Sequence, residues 1–153
     1  MPVNVMEQQT VTVDGRGIFV RTCGDRSKPA LVLIHGFPSS SESFREIIEP
    51  LSNQCFVIAP DLPGFGRSQP IGQPSFARFA DVLEQVLVQV GVESFHLYLH
   101  DYGAAVALHL ATRAPHRVRG LFVQNADARR SGMGPQWAAA QAYWGGPAPE
   151  EEA

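Results

Sequence analysis

The sequence predicts an α/β fold, a mostly parallel sheet with flanking helices. Two observations carry that reading. Residues 30–35 and 55–59 are short, nearly continuous apolar runs, the pattern of strands covered on both faces, as parallel strands are. Alternating with such runs are segments of helical period, of which Phe76, Phe79, Ala80, Leu83, Val86, Leu87 and Val90 form the clearest. Strand, helix and strand joined by short turns build a parallel sheet, and right-handed crossovers place helices on both its faces.

Taken in chain order, residues 10–13 and 18–22 are β-like runs about Asp14-Gly15, which reads as a hairpin. The first buried strand ends on His35. Ser43-Phe44-Arg45-Glu46 has the form of a capping box and predicts a short helix to about Leu51. The second buried strand follows, and the Pro- and Gly-rich residues 60–74 make a loop. Ser75 is placed to cap the next helix and Gly91 to end it. Residues 95–100 read as a strand and 102–113 as a helix stopped before Pro115, whose Gly103, Ala104, Ala105 and Ala107 let its backbone approach a sheet. Residues 120–124 form one more strand. Beyond about Asn125 the composition turns to Ala, Gly, Pro and Trp, and residues 136–144 read as a short amphipathic helix. There is no internal repeat.

Composition excludes several classes. A formal charge of −3 provides no basic field for nucleic acid or acidic lipid. No stretch approaches the roughly 20 apolar residues of a membrane span. Residues 1–13 lack a charged leader with an apolar core, so they do not read as a signal peptide. Cys23 and Cys55 are too few for a disulfide scaffold and too far apart for a CxxC site, which points to reduced thiols in a cytoplasmic protein. Neither a metal nor a cofactor is expected.

Three segments carry chemistry. His35-Gly36-Phe37-Pro38 directly follows a buried strand, where a glycine lets the chain turn sharply and aim an N–H into the crevice at the strand ends. Asp61-Leu62-Pro63-Gly64-Phe65-Gly66-Arg67-Ser68 has neither the G-x-G-x-x-G frame nor a Gly-Lys-Ser/Thr, and reads as a structural turn. In Leu99-His100-Asp101-Tyr102-Gly103 a carboxylate lies between a buried strand and a helix with almost no residues to make the turn. The G-x-S-x-G nucleophile elbow has this layout. A helix cap is the plainer role for such an aspartate.

The order HGFP, DLPGFGRS, HDYGAA resembles the α/β-hydrolase superfamily, and within it the epoxide hydrolase and haloalkane dehalogenase branch. The nucleophile slot holds Asp101, His35-Gly36-Phe37-Pro38 matches the HGxP motif, and His100-Asp101-Tyr102-Gly103 is similar to the H-D-W/Y-G elbow. Pro115-His116-Arg117-Val118 and residues 121–125 also fit the segment after the elbow helix. The resemblance runs from about Thr10 to Asn125, the N-terminal half of that fold. One departure is Leu99, two before the nucleophile, where many members carry a small residue; it implies a more crowded turn.

The resemblance implies an aspartate nucleophile that forms an alkyl-enzyme ester, which a His-activated water then hydrolyses. The oxyanion of that hydrolysis would meet the backbone N–H groups of Phe37 and Tyr102, with His35, Gly36, Pro38, His100 and Gly103 in support. Tyr102 in place of a tryptophan, and Pro38 at the end of the HGFP loop, favour an epoxide substrate over a haloalkane. The family's late catalytic histidine has no counterpart: His35, His96, His100, His109 and His116 all precede the last predicted strand. His100 adjoins Asp101 but points to the opposite face of its strand. Asp127 is the sole acid placed to orient such a histidine. The expected division is residues 1–126 as part of the hydrolase core and 127–153 as the start of a cap, signalled by Trp137, Tyr143 and Trp144, or a disordered tail. The uncovered sheet predicts low stability or self-association. A catalytically incomplete chain, or a non-catalytic interaction module, stands as the alternative.

Overall fold

The computed structural model describes residues 5–126 and residue 135. Strands β1 (Glu7–Val13) and β2 (Arg16–Cys23) form the hairpin. Its Asp14-Gly15 turn has φ of 49° and 74°, the double positive φ whose twist matches the flanking strands. Both strands outrun their apolar cores, because polar residues such as Glu7 pair through the backbone alone, here with Thr22. Strands β3 (Ala30–Ile34), β4 (Phe56–Pro60), β5 (Phe95–His100) and β6 (Val118–Gln124) complete a six-stranded sheet of order β1-β2-β4-β3-β5-β6. The pairings β4-β3, β3-β5 and β5-β6 are parallel, while β2 joins β4 antiparallel.

Helices α1 (Arg45–Ser52), α2 (Phe76–Val90) and α3 (Tyr102–Arg113) make the crossovers. From β3 the chain steps one way to β4, then back past β3 to β5 and on to β6. With right-handed connections that reversal sends α1 to one face and α2 and α3 to the other. The cores agree. Val32, Ile34, Leu97 and Leu99 pack with Leu83, Val86, Val106 and Leu110 on one face, whereas Leu31, Leu33, Val57 and Ala59 pack with Phe44 and Ile48 on the other. Alternate residues of one strand thus serve opposite cores, which is why the strands read as continuous apolar runs.

Ser75 caps α2 by accepting the Arg78 N–H at 3.1 Å, and Gly91 ends it in the left-handed region at φ 81°. The capping box assigned to Ser43 is not used. A 3-10 turn over Ser41–Phe44 comes first, with Ser40 as its cap, and α1 begins at Arg45 without a side-chain cap. The cause is tertiary: the buried Asp61 carboxylate accepts the Ser41 N–H at 2.7 Å and fixes the entry two residues earlier, while the Ser43 hydroxyl pairs with Ser39. β6 starts two residues before the expected strand, after a 3-10 turn at Pro115–Arg117. Among the described residues it forms a sheet edge, on which Leu121, Phe122 and Val123 are 44%, 55% and 62% exposed. No helix among the described residues is long and apolar enough to cross a membrane.

Candidate active site

The carboxyl ends of β3 and β5 lie side by side, but their connections part: β3 leads through α1 to β4, β5 through α3 to β6. A crevice opens where neighbouring strands send their loops opposite ways. The segments after these two strands are the HGFP and HDYG motifs, and they meet there.

Asp101 is the single residue between β5 and α3, and it holds φ 50° and ψ −127°. A side chain rarely adopts that conformation; it costs about 1–3 kcal/mol and persists where its surroundings over-determine it. Here they do. Its exposed carboxylate accepts two backbone N–H groups on the same oxygen, Oδ1, from Tyr102 at 2.6 Å and from Phe37 at 3.0 Å. Oδ2 has no hydrogen-bond partner among the described residues. The aspartate caps its helix, as the plainer role required, but the Phe37 bond comes from 64 residues away and is not part of a cap.

Two glycines permit this approach. A Cβ on Gly36 would lie 2.7 Å from Cβ and 2.9 Å from Oδ1 of Asp101. One on Gly103 would strike the His35 carbonyl oxygen and lie 2.8 Å from Cγ2 of Ile34, so only glycine lets α3 start against the end of β3. Leu99, two residues before Asp101, has its side chain buried in the α2–α3 core.

His35 is buried behind the turn. Its Nε2 accepts the Leu62 N–H at 2.9 Å, and its Nδ1 lies 2.9 Å from the Gly36 carbonyl oxygen. An amide can only donate and a carbonyl only accept, so these partners assign the neutral ring with its proton on Nδ1. Burial pushes the His35 pKa below its ordinary value; the Gly36 bond and the Asp61 charge pull the other way and are outweighed. Both nitrogens are engaged, so His35 is a strut between turns.

The 61–68 turn is built to be rigid. The Asp61 carboxylate accepts the N–H groups of Ser41 and, at 2.8 Å, Arg67, and Gly66 at φ 53° passes so close to that carboxylate that a Cβ would collide with it. Between these anchors Phe65 aims its ring at the site. It meets the rings of His35 at 5.5 Å and of Phe37 and Tyr102 at 6.0 Å each. Phe76, the first residue of α2, meets the Tyr102 ring at 4.7 Å, tilted by 57°. Four rings therefore wall the ground beside Asp101. In sequence, Phe65 reads as part of a structural turn and Phe76 as part of the apolar face of a helix, with no role at the site for either; a phenylalanine between two glycines of a tight turn was the available signal. Burial raises the Tyr102 pKa, so its hydroxyl keeps its proton at neutral pH.

The other singled-out residues are placed as follows. Pro38 follows Phe37 in the exposed turn. His100 turns away from Asp101, with Nδ1 3.2 Å from the Gln124 carbonyl oxygen. His96 lies on β5 toward its far end, His109 is exposed on α3, and His116 sits in the turn before β6. None of these five histidines bonds Asp101. Asp127, Trp137, Tyr143 and Trp144 lie outside the described residues. A concavity of about 720 Å³ bordered by Lys28, Ala30, Phe56, Val92, His96 and Arg119 opens at the amino ends of the strands. It is remote from Asp101, and open α/β sheets bind substrates at the opposite, carboxyl ends. No group of acidic, His or Cys side chains among the described residues is arranged to hold a metal ion.

A family model described as alpha/beta hydrolase fold matches residues 29–146. The chain is 37% identical over 134 residues to an uncharacterised hydrolase of Saccharomyces cerevisiae, covering 86% of this chain and 46% of the relative. It is 40% identical over 124 residues to a haloalkane dehalogenase of Bradyrhizobium diazoefficiens, covering 78% and 39%. It is 33% identical over 120 residues to an epoxide hydrolase of Siraitia grosvenorii, covering 76% and 37%. Among solved structures, a haloalkane dehalogenase from Bradyrhizobium elkani superposes with a TM-score of 0.70 at 34% identity, over 78% of this chain and 41% of that one. The chain thus spans less than half the length of these curated relatives.

Proposed function

Because this chain belongs to the α/β-hydrolase fold family, whose model covers most of it, we propose that it carries the nucleophile half of an epoxide-hydrolase-like active site, with Asp101 as the attacking residue. The observation behind this reading is the pair of N–H groups on Asp101 Oδ1. They hold one carboxylate oxygen and leave Oδ2 to attack. A carboxylate suits an sp³ carbon with a strained or good leaving group. Oδ2 forms a bond to the epoxide carbon, the ring C–O bond breaks, and its electron pair stays on oxygen, which takes up a proton. The product is an ester on Asp101 whose carbonyl oxygen is Oδ1. If water later attacks that carbonyl, the developing oxyanion already lies between the Phe37 and Tyr102 N–H groups, which is where preorganised donors act.

That second step needs a base. The sequence has five histidines, His35, His96, His100, His109 and His116, and none serves Asp101 as placed. The 153-residue chain is therefore expected to take up one equivalent of substrate and keep it. Residues 127–153 are read as the beginning of a cap over the rings, and the chain as a cytoplasmic protein on the strength of its cysteine usage.

The haloalkane reading has its own support, the 40% identity to a dehalogenase. One experiment separates the readings. The chain is incubated with styrene oxide or with bromobutane, and intact mass and released bromide are measured. The epoxide reading expects a single adduct of the full epoxide mass, mapped to Asp101 and absent in Asp101→Ala. A butyl adduct with one bromide released, faster than the epoxide adduct, would favour the dehalogenase. No adduct from a folded chain would leave a non-catalytic module, and an adduct retained in Asp101→Ala would remove Asp101 from the site.

A further inference from the structure

The 61–68 turn does more than end a strand: we propose that Phe65 is a positioning residue, which holds the two oxyanion donors in register with the Asp101 carboxylate. The inference rests on the nucleophile reading above. The donors come from different elements. The Phe37 N–H belongs to the turn after β3, the Tyr102 N–H to the first residue of α3. The β3–β5 ladder, which ends on the Ile34–Leu99 pair, brings the two turns together, but each donor lies beyond it in its own turn, where side-chain packing sets the remaining spacing. Phe65 is the residue whose ring meets both of their side chains, each at 6.0 Å, edge-on to Phe37 at 88° and tilted at 52° to Tyr102. Its ring also meets His35 at 5.5 Å and Phe79 in the core at 6.5 Å. Phe37 is 62% exposed, and its ring contacts are Phe65 and Tyr102 alone among the described residues.

A wedge positions its neighbours only if its own backbone is fixed. The Phe65 N–H donates to the Leu62 carbonyl at 2.9 Å, and its carbonyl accepts the Ser68 N–H at 2.9 Å. Leu62 is tied through its N–H to His35, and Arg67 through its N–H to the buried Asp61 carboxylate. The turn is thereby bonded to the HGFP segment on one side and braced internally on the other. Aromatic pairs of this geometry contribute beyond their buried area, and donor placement is held to tenths of an ångström in working sites.

The test compares Phe65→Leu with Phe65→Tyr in the 153-residue chain, reading two signals. The first is the hydrogen-exchange protection of the Phe37 and Tyr102 amides, which reports their bonds to the carboxylate without any chemistry and is untouched by the ring-current change that follows removal of an aromatic ring. The second is the rate of adduct formation from styrene oxide by intact mass. In Phe65→Leu we expect both amides to exchange faster with the rest of the spectrum in place. No oxyanion develops at Oδ1 in this step, so the adduct rate reads the aim of Oδ2, and it should fall on the order of tenfold as that aim is lost. Phe65→Tyr, which keeps the ring, should restore both. Unchanged exchange of both amides in Phe65→Leu overturns the proposal, and so does a variant that loses its whole spectrum, since Phe65 would then be a plain core residue. Failure of the nucleophile reading looks different: the adduct persists in Asp101→Ala or never forms, while the amide exchange still reports on Phe65.

Discussion

Replacing His35 by phenylalanine keeps a ring of similar size but removes both hydrogen-bonding nitrogens. The Leu62 N–H and the Gly36 carbonyl, both on buried residues, lose their partners. An unsatisfied buried group costs about 1–3 kcal/mol, so the pair amounts to about 2–6 kcal/mol. That is a large share of the 5–15 kcal/mol available to a typical domain. The substitution also removes a pH dependence of definite sign. Burial holds the folded His35 pKa below its ordinary value of 6.5. Between that value and the lowered one the unfolded chain binds a proton that the folded chain does not, so stability falls as the pH falls. The contribution is fully present above about pH 6.5 and is lost as the pH drops through the window below it. Protonation would set an Nε2–H against the Leu62 N–H, two donors facing each other. The assay is urea denaturation of both proteins at several pH values between 5 and 7.5. The gap between wild type and His35→Phe should be widest at the top of this range and narrow toward pH 5. A gap that stays constant, or widens in acid, would refute the neutral-strut role of His35.

Gly103→Ala sets a Cβ against the His35 carbonyl and Ile34. Overpacking of this kind costs about 1–3 kcal/mol, and α3 has to shift, so we expect a lowered Tm and a weakened Tyr102 amide bond to Asp101, seen by calorimetry and amide shifts. An unchanged melt would mean that the helix start has slack. Ser75→Ala removes the cap of α2 and should lower stability by about 1 kcal/mol without altering adduct formation at Asp101; loss of that reaction would tie α2 to the site more tightly than one cap bond explains. The exposed edge residues of β6 predict self-association of the 153-residue chain, and Phe122→Lys should shift it toward monomer in light scattering, because a charge on an edge strand opposes pairing. A wild-type monomer with a sharp two-state melt would contradict the expected low stability.

Much of the architecture was legible in the sequence because it is locally written. The 3.6-residue period of α2, Ser75 and Gly91 at its ends, and the Asp14-Gly15 turn each depend on a few neighbouring residues, and each appears where the pattern puts it. The apolar runs gave a parallel sheet because a strand covered on both faces has no polar side to show. The start of α1 was misread because its determinant, the Asp61 carboxylate, lies 20 residues from Ser41. The lack of room between a strand and a helix singled out Asp101 as a turn residue, with a helix cap as its plainer role, and the resemblance to the epoxide hydrolase branch added the expectation of a nucleophile.

Only the tertiary structure decided how that aspartate is held. The choice of Oδ1 for both N–H groups, the neutral His35 between two turns, and the reach of Phe65 to both donors are relations among segments up to 64 residues apart. They arise because strand order, not chain order, makes β3 and β5 neighbours and brings the turn after β4 beside them. Periodicity records which side of an element faces a core. It does not record which other element shares that core, and at the strand ends that partnership determines the site.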